Sequence, residues 1–132
     1  MTLKPLGIDH VVIRTKDHAA MMAFYQDVIG CSLERVQEAI GLYQLRCGTS
    51  LIDLVPVDGK LGRMGGAAPG PQGRNMDHLC LRIDGFDAAE VRAHLEAHGV
   101  PVGEEGLRYG STGEAVSIYL ADPDGNALEL RG

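Results

Sequence analysis

The sequence Gly7-Ile8-Asp9-His10-Val11-Val12-Ile13-Arg14 returns later in the chain as Asn75-Met76-Asp77-His78-Leu79-Cys80-Leu81-Arg82. Aspartate, histidine and arginine occupy matching positions in the two copies, at one constant offset of 68 residues. Both copies alternate in a way that suits a β-strand, so two strands of the same design are predicted. The chain therefore contains an internal repeat, and this repeat decides the fold.

A helical pattern follows each copy of the repeated strand, over residues 17–29 and again over residues 87–98. Both predicted helices begin near an aspartate that can cap free N–H groups. Each stops at a glycine, Gly30 or Gly99, which suits the left-handed position that commonly ends a helix. The two halves of the chain therefore share a helix as well as a strand.

Three strand-like stretches follow each helix, at residues 33–38, 42–46 and 51–57 and then at residues 100–102, 116–120 and 127–131. Each half is thus predicted to be a βαβββ module, over about residues 6–57 and 75–132. Residues 58–74, rich in glycine, proline and alanine, form the linker. Because each half is too small to bury its sheet alone, we expect one α+β domain over residues 1–132.

The composition disfavours several classes of protein. The 132 residues are 45% hydrophobic and 23% charged, as is typical of a globular domain. A formal net charge of −6 argues against binding to nucleic acid or to an anionic membrane surface. No apolar run approaches the roughly 18 residues of a membrane span, and the first residues lack a signal-peptide pattern. We therefore expect a cytoplasmic protein.

The three cysteines, Cys31, Cys47 and Cys80, are unclustered and lie among apolar neighbours. An odd number of scattered cysteines does not suggest a disulfide framework. We interpret them as small buried side chains in a reducing compartment.

Four polar residues stand out on the predicted strands. Strand alternation puts His10 and His78 opposite the all-apolar sides of their strands, which are the natural sides to pack under the helices. Asp53 and Glu129 repeat this logic on the last strand of each half, where each lies between two large apolar residues. Because acidic residues are seldom buried unless paired, the repetition marks a site on the concave side of the sheet.

Two neutral imidazoles and two carboxylates are a suitable ligand set for one divalent metal ion. We therefore predict a metal site formed by His10, Asp53, His78 and Glu129, with one or two coordination positions left open for substrate or water. The alternative is that each histidine is a satisfied core or interface residue, the commoner case for a lone strand histidine. The repeated context favours the metal.

Further residues near the predicted site are candidates for substrate binding. Arg14 and Arg82 share the faces of the two histidines and are predicted to bind an anionic substrate, with plain solvent exposure as the alternative. Tyr109 and residues 110–113 form either a mobile lip over the site or an ordinary surface loop. The histidines of the predicted helices look solvent-facing and have no assigned role: His18, His94 and His98.

The chain resembles the glyoxalase/bleomycin-resistance/dioxygenase superfamily, also called the vicinal oxygen chelate superfamily. The resemblance rests on the paired modules, the early Asp-His-Val-Val-Ile strand, Phe24-Tyr25, Val28-Ile29-Gly30-Cys31 and the run Tyr119-Leu-Ala-Asp-Pro-Asp-Gly-Asn-Ala-Leu-Glu-Leu130. It covers nearly the whole chain, from about residue 6 to residue 132. It implies a cup-shaped mixed sheet built from tandem βαβββ modules.

By position, the resemblance makes His10 and Asp53 the metal ligands of the first half and His78 and Glu129 those of the second. Family members with glyoxalase I activity usually carry glutamate where this chain has Asp53. Aspartate is one methylene shorter, so whether it touches the metal directly stays open. Single-chain members of this length usually form homodimers, often with modules of different subunits around each metal.

The resemblance implies three alternative functions. The first is a divalent-metal-dependent lyase or isomerase like glyoxalase I, in which the metal stabilises an enediolate and Glu129 transfers the proton. The second is an Fe(II) dioxygenase that uses His10, His78 and Glu129. The third is a non-catalytic drug- or metabolite-binding dimer like the bleomycin-resistance members. We predict the first, with a small oxygen-chelating substrate and Zn, Ni, Co, Mn or Fe as the metal.

Overall fold

The computed structural model describes every residue from Met1 to Gly132, and the chain divides into two compact units, Met1–Pro69 and Gly70–Gly132. Each unit combines one four-stranded mixed sheet with one α-helix. The predicted α+β class, with tandem βαβββ modules, is confirmed. The boundary between the units falls inside the predicted linker, residues 58–74.

The first unit contains β1 (His10–Thr15), α1 (His18–Ala23), β2 (Ser32–Gln37), β3 (Leu42–Cys47) and β4 (Ser50–Pro56). Its strand order is β1-β4-β3-β2, with β1 parallel to β4 and the other neighbours antiparallel. The register sets Val12 of β1 opposite Asp53 of β4. The two strands that carry the predicted first-half ligands are therefore adjacent.

The first helix has the predicted limits but an irregular last turn. The Asp17 carboxylate caps it by accepting a hydrogen bond of 3.2 Å from the Ala20 amide. α1 continues into a π-helical turn, Phe24–Val28, and the chain then turns at Gly30 with a φ of +88°. A residue with a side chain rarely adopts that φ, so glycine at this position ends the helix sharply.

The second unit contains β5 (Leu79–Arg82), α2 (Ala88–Ala97), β6 (Glu105–Gly110), β7 (Gly113–Ala121) and β8 (Ala127–Arg131). Its strand order is β5-β8-β7-β6, with β5 parallel to β8, so the topology of the first unit recurs strand for strand. Asp87 caps α2 by accepting a 3.0 Å hydrogen bond from the Glu90 amide, and Gly99 follows with a φ of +70°. The predicted repeat therefore extends to the helix caps.

Each unit has its own apolar core. In the first unit the largest fully buried apolar side chains are those of Ile13, Met21, Tyr25, Leu45, Ile52 and Leu54. In the second unit they are those of Leu95, Ile118 and Leu128. Full burial of one such side chain contributes about 1.5–3 kcal/mol, so these contacts fix the sheet faces firmly. The face opposite each core is then left for the polar residues of β1, β4, β5 and β8.

One predicted strand is wrong. Residues 100–102 form no strand, and the strand that pairs with β7 is instead β6, Glu105–Gly110. β6 contains two glycines and two charged residues, a composition that sequence patterns do not assign to strands, but it lies at a sheet edge where such residues are tolerated. Tyr109 and residues 110–113 consequently belong to the β6–β7 hairpin.

The interpretation of the cysteines as small buried thiols is wrong: two of them are oxidised, and the third, Cys80, is exposed. Cys31 and Cys47 form a disulfide, with their Cα atoms 4.7 Å apart, and only Cys80 is free. The pairing of Ser32 with Arg46 between antiparallel β2 and β3 sets the flanking cysteines opposite one another. Because the cytoplasmic assignment rested partly on reduced cysteines, it has lost that support and stays a prediction.

Neither α-helix has the length and apolar character that crossing a bilayer requires.

Candidate metal centre

The second unit brings two of the predicted ligands into direct contact. His78 immediately precedes β5, and Cys80 of β5 lies opposite Glu129 of β8 in the parallel register. The imidazole Nε2 of His78 lies 3.3 Å from Oε1 of Glu129. Two of the four predicted ligands therefore meet through the atoms that would bind a metal.

The turn before β8 fixes the position of Glu129. The buried Asp122 carboxylate accepts hydrogen bonds from the Asp124 amide (3.1 Å), the Asn126 amide (2.9 Å) and the Asn126 side chain (2.8 Å). Gly125 takes a φ of +87° inside this turn. The Asp-Pro-Asp-Gly-Asn motif is therefore structural, and it sets where β8 begins.

Glu129 is a buried carboxylate with an extensive set of hydrogen-bond donors. Only 5% of the residue is exposed, and its Oε2 accepts hydrogen bonds from the Ser117 hydroxyl (2.8 Å) and the Cys80 thiol (3.3 Å). Burial raises the pKa of Glu129, but hydrogen bonds from Tyr119, Ser117 and Cys80, together with His78, outweigh burial and leave that pKa below its ordinary value. The carboxylate is therefore ionised at neutral pH, as a metal ligand must be.

A second carboxylate orients the His78 ring. Oδ2 of Asp77 lies 2.6 Å from Nδ1 of His78, and the hydrogen bond from His78 lowers the pKa of Asp77. Because an ionised Asp77 can only accept, Nδ1–H of His78 is the donor. In a neutral ring Nε2 then presents a lone pair to the Glu129 carboxylate. Two electron-rich atoms at this separation require a cation between them, so the pair fits a metal ion or a proton.

The first unit repeats this arrangement less tightly. Nδ1 of His10 lies 2.6 Å from Oδ1 of Asp9. This hydrogen bond raises the pKa of His10, partial burial opposes it, and the charge of Asp53 adds to the rise. Asp53 itself is buried, at 3% exposure, and accepts long hydrogen bonds of 3.3 and 3.4 Å from the Gln44 amide.

The two units differ in how far the carboxylate reaches. Nε2 of His78 lies 3.3 Å from a carboxylate oxygen of Glu129, whereas His10 makes its close carboxylate contact with Asp9 and not with Asp53. Aspartate is one methylene shorter than glutamate, which accounts for the difference. Within the chain no group of three or more His, Cys, Asp or Glu side chains could hold a metal ion. The structure therefore brings the two predicted ligands of the second unit into contact, and it does not do so for His10 and Asp53.

The structure gives Arg14 a role different from the predicted one. Its guanidinium donates to the carbonyl oxygens of Gly62 (3.0 Å), Gly65 (3.2 Å), Gly66 (2.6 Å) and Ala67 (3.0 Å). Four of its five N–H groups are thereby used. Arg14 fastens the segment after β4, part of the predicted linker, to the first sheet.

Arg82 is placed differently. It is exposed, makes no hydrogen bond or ion pair within the chain, and lines a pocket of about 270 Å³ in the second unit. The two predicted ligands of that unit and the turn of the β6–β7 hairpin also line the pocket. Its lining residues are His78, Cys80, Arg82, Tyr109, Gly110, Ser111, Glu129 and Arg131. Of the two predicted arginines, Arg82 is the one free to meet a substrate.

Sequence reasoning missed Ser117, Tyr119 and Arg131 as members of this site. In the antiparallel register Tyr119 lies opposite Glu129, and Ser117 lies opposite Arg131. The rings of His78 and Tyr119 are 5.9 Å apart in an edge-to-face contact. Strand alternation along β7 places residues 115, 117 and 119 on one face. Only the register between β7 and β8 shows that this is the face on which Glu129 lies.

Comparison with known proteins agrees with this architecture. Residues 7–130 match the Glyoxalase/Bleomycin resistance protein/Dioxygenase superfamily. The chain is 34% identical over 125 residues to the glyoxalase domain-containing protein RDO1 of Mycosarcoma maydis. That match covers 94% of this chain and 66% of the fungal protein, so the chain spans just under two thirds of that relative.

Two solved structures show the same fold. An integron cassette protein from Vibrio cholerae superposes with a TM-score of 0.78 at 25% identity, covering 99% of this chain and 98% of that one. A lactoylglutathione lyase from Agrobacterium tumefaciens superposes with a TM-score of 0.69 at 24% identity, covering 97% and 94%. The second likeness concerns the fold alone. The chain therefore belongs to the Glyoxalase/Bleomycin resistance protein/Dioxygenase superfamily, because residues 7–130 match that family and the two units have its paired βαβββ topology.

Proposed function

We propose that the protein is a divalent-metal-dependent lyase or isomerase, like a lactoylglutathione lyase, that acts on a small substrate with adjacent oxygens. The observation that carries the proposal is the pair His78–Glu129, whose donor atoms lie 3.3 Å apart while Asp77 holds the ring. A histidine oriented by a carboxylate and aimed at a second carboxylate is the usual surrounding of a protein-bound metal.

The proposed site draws on all four predicted ligands. His78 and Glu129 would supply one half and His10 and Asp53 the other, in a homodimer in which each half comes from a different subunit. Zn, Ni, Co, Mn or Fe would suit two nitrogens and two oxygens. When bound, the ion would act as a Lewis acid that draws electron density from the substrate oxygens.

The protein's own contribution to the reaction would be proton transfer by Glu129. Its Oε2 is held by Ser117 and Cys80, while its Oε1 faces His78. A carboxylate fixed in this way can accept a proton from a carbon next to a polarised carbonyl and return it to the neighbouring carbon. Arg82 lines the same pocket and would bind an anionic part of the substrate.

One observation favours a second candidate, an Fe(II) dioxygenase. Asp53 forms no ion pair with His10, so a ligand set of His10, His78 and Glu129 without Asp53 is consistent with the structure. Two histidines and one carboxylate are the ligands of many non-haem iron oxygenases. The absence of a three-residue metal cluster within one chain leaves a third candidate, a metabolite-binding dimer.

The test is metal content by elemental analysis on protein purified without chelator. We expect about one divalent ion per chain, lost in His10→Ala and in His78→Ala and kept in the control variant His94→Ala on α2. Formation of S-lactoylglutathione from methylglyoxal and glutathione is then assayed with the loaded protein. Iron together with oxygen uptake would favour the dioxygenase. Protein that takes up no metal would overturn both catalytic candidates.

A further inference from the structure

Arg131 is a buried cation without an acidic side chain as its partner. It lies on β8 with 2% exposure and forms no ion pair. Its guanidinium donates to the carbonyl oxygens of Gly113 (2.6 Å) and Arg108 (3.3 Å), and at 3.4 Å to an oxygen of Gly132, the last residue of the sequence. Carbonyl oxygens orient a guanidinium but do not neutralise it, and a buried charge is costly unless it is paired.

A second free cation lies beside it. In the parallel register Arg82 of β5 is opposite Arg131 of β8, so the two side chains share one face of the sheet. Arg82 also forms no ion pair, and both residues line the pocket of about 270 Å³. Like charges on directly opposite positions destabilise a sheet unless something of opposite sign lies between them.

The acidic residue of this face does not fill that role. Glu129 lies two positions before Arg131, and its oxygens are already taken by His78, Ser117 and Cys80. The pair of arginines therefore has no counter-charge of its own within the sheet. Ser111, in the turn of the β6–β7 hairpin, lines the same pocket, and a serine hydroxyl can donate to an oxyanion.

We propose that Arg82 and Arg131 form an oxyanion-binding subsite that takes a carboxylate or phosphate group of the substrate. Two residues along a strand span about 6.6 Å, so the subsite lies roughly that far from Glu129. This deepens the proposed function: the substrate would carry an anionic group at one end and its metal-chelating oxygens at the other. The guanidinium fork suits either oxyanion, because both accept paired N–H donors.

The first test is calorimetric titration of metal-free protein with inorganic phosphate and, separately, with acetate, at constant ionic strength in chloride. We expect saturable binding of at least one of them, weakened about tenfold or more in Arg82→Gln, since a charge-assisted bidentate contact is lost. The matched control is Arg35→Gln, which removes an exposed arginine of β2 without touching the pocket. Acetamide, the neutral counterpart of acetate, should not bind.

Arg131 also supports the β6–β7 hairpin, so its replacement by an uncharged residue risks unfolding. Arg131→Lys keeps the charge but loses the fork, and we expect it to fold and to bind the anion less tightly than the wild type. Amide NMR shifts caused by the anion should concentrate at residues 109–113 and 129–131. Equal binding in the wild type and Arg82→Gln, or shifts elsewhere in the chain, would overturn the subsite.

Failure of the subsite and failure of the proposed function can be told apart. His78→Ala is expected to lose the metal but to keep anion binding, because the arginines do not depend on His78. Anion binding in a wild type that takes up no metal would support the subsite and refute the metal-dependent function. Metal uptake without saturable binding of either anion would refute the subsite alone.

Discussion

The hydroxyl of Ser117 donates a 2.8 Å hydrogen bond to Oε2 of Glu129, and this contact leaves Oε1 of the same carboxylate facing His78 at 3.3 Å. Ser117 is fully buried, so water does not compete for the bond. A residue of β7 therefore orients the carboxylate toward the imidazole of His78, which immediately precedes β5. Both the protonation state and the orientation of the Glu129 carboxylate therefore depend on Ser117, which would not itself contact the substrate.

Ser117→Ala should raise the pKa of Glu129, because the hydrogen bond from Ser117 is one of the contacts that keep that pKa low. Loss of the buried bond should also cost about 1–2 kcal/mol of unfolding free energy. The acidic limb of the pH–rate profile should move to higher pH, with the proposed lyase assay as the readout. Ser32→Ala, at the exposed start of β2, is the control and should leave both quantities unchanged.

Acid should remove a stabilising contribution of Glu129 in the metal-free protein. Its pKa is lowered in the folded state, so the contribution is fully present above the unfolded pKa of about 4.5 and is lost as the pH falls through the folded value. Urea unfolding of the wild type and Glu129→Gln should show a stability difference at pH 6 that shrinks toward pH 3. A difference that is constant over this range would show that the carboxylate is not stabilised by folding.

Arg14 should stabilise the segment after β4 in the first unit rather than bind the substrate. Arg14→Met removes four hydrogen bonds to the carbonyls of residues 62–67, at a cost of about 2–4 kcal/mol, less than for four buried bonds to a charged group because three of the four are exposed to solvent. Trypsin should then cleave after Arg63, in the released turn, much faster than in the wild type. Arg35→Met serves as the control. Unchanged cleavage at Arg63 would show that Arg14 does not hold the segment after β4 in place.

The disulfide should contribute measurably to the stability of the first unit. Cys31 and Cys47 close a loop with a sequence separation of 16, for which chain entropy predicts about 3 kcal/mol. Reduction with dithiothreitol should lower the unfolding temperature of the wild type and leave that of Cys31→Ser/Cys47→Ser unchanged. Cys80→Ser should respond to reduction like the wild type. Labelling of three thiols in protein unfolded without reductant would show that the bond does not form.

Much of the architecture could be predicted because the signals were local. Alternation along one strand identifies its buried face, and an aspartate or glycine marks a helix end without reference to any partner. The repeat of His10 as His78 then paired the two halves and led to Asp53 and Glu129 as matching carboxylates. These inferences needed only one segment at a time.

The parts that were missed depend on register between segments. Tyr119 joins the site because it lies opposite Glu129, and the disulfide forms because β2 and β3 bring Cys31 beside Cys47. No property of a single strand specifies such a neighbour. The same applies to Arg82 and Arg131, whose adjacency across β5 and β8 was not visible in their own segments.

Cys80 should be an unreactive thiol despite its position in the pocket. Partial burial, followed by its hydrogen bond to Glu129 and the charge of that carboxylate, raises the pKa of Cys80 to about 12. Since the thiolate is the nucleophile, alkylation by iodoacetamide at pH 8 should be far slower than for an ordinary free cysteine.

The Glu129→Gln variant separates the causes of this inertness. It removes the negative charge that stabilises the protonated thiol and replaces a carboxylate acceptor with a weaker amide oxygen, so the pKa of Cys80 should fall and alkylation at pH 8 should speed up at least several-fold. Rates are read by mass spectrometry of the Cys80 peptide, with Asp53→Asn as a control that changes a carboxylate in the other unit. Equal rates in the wild type and Glu129→Gln would show that the charge of Glu129 does not protect the thiol.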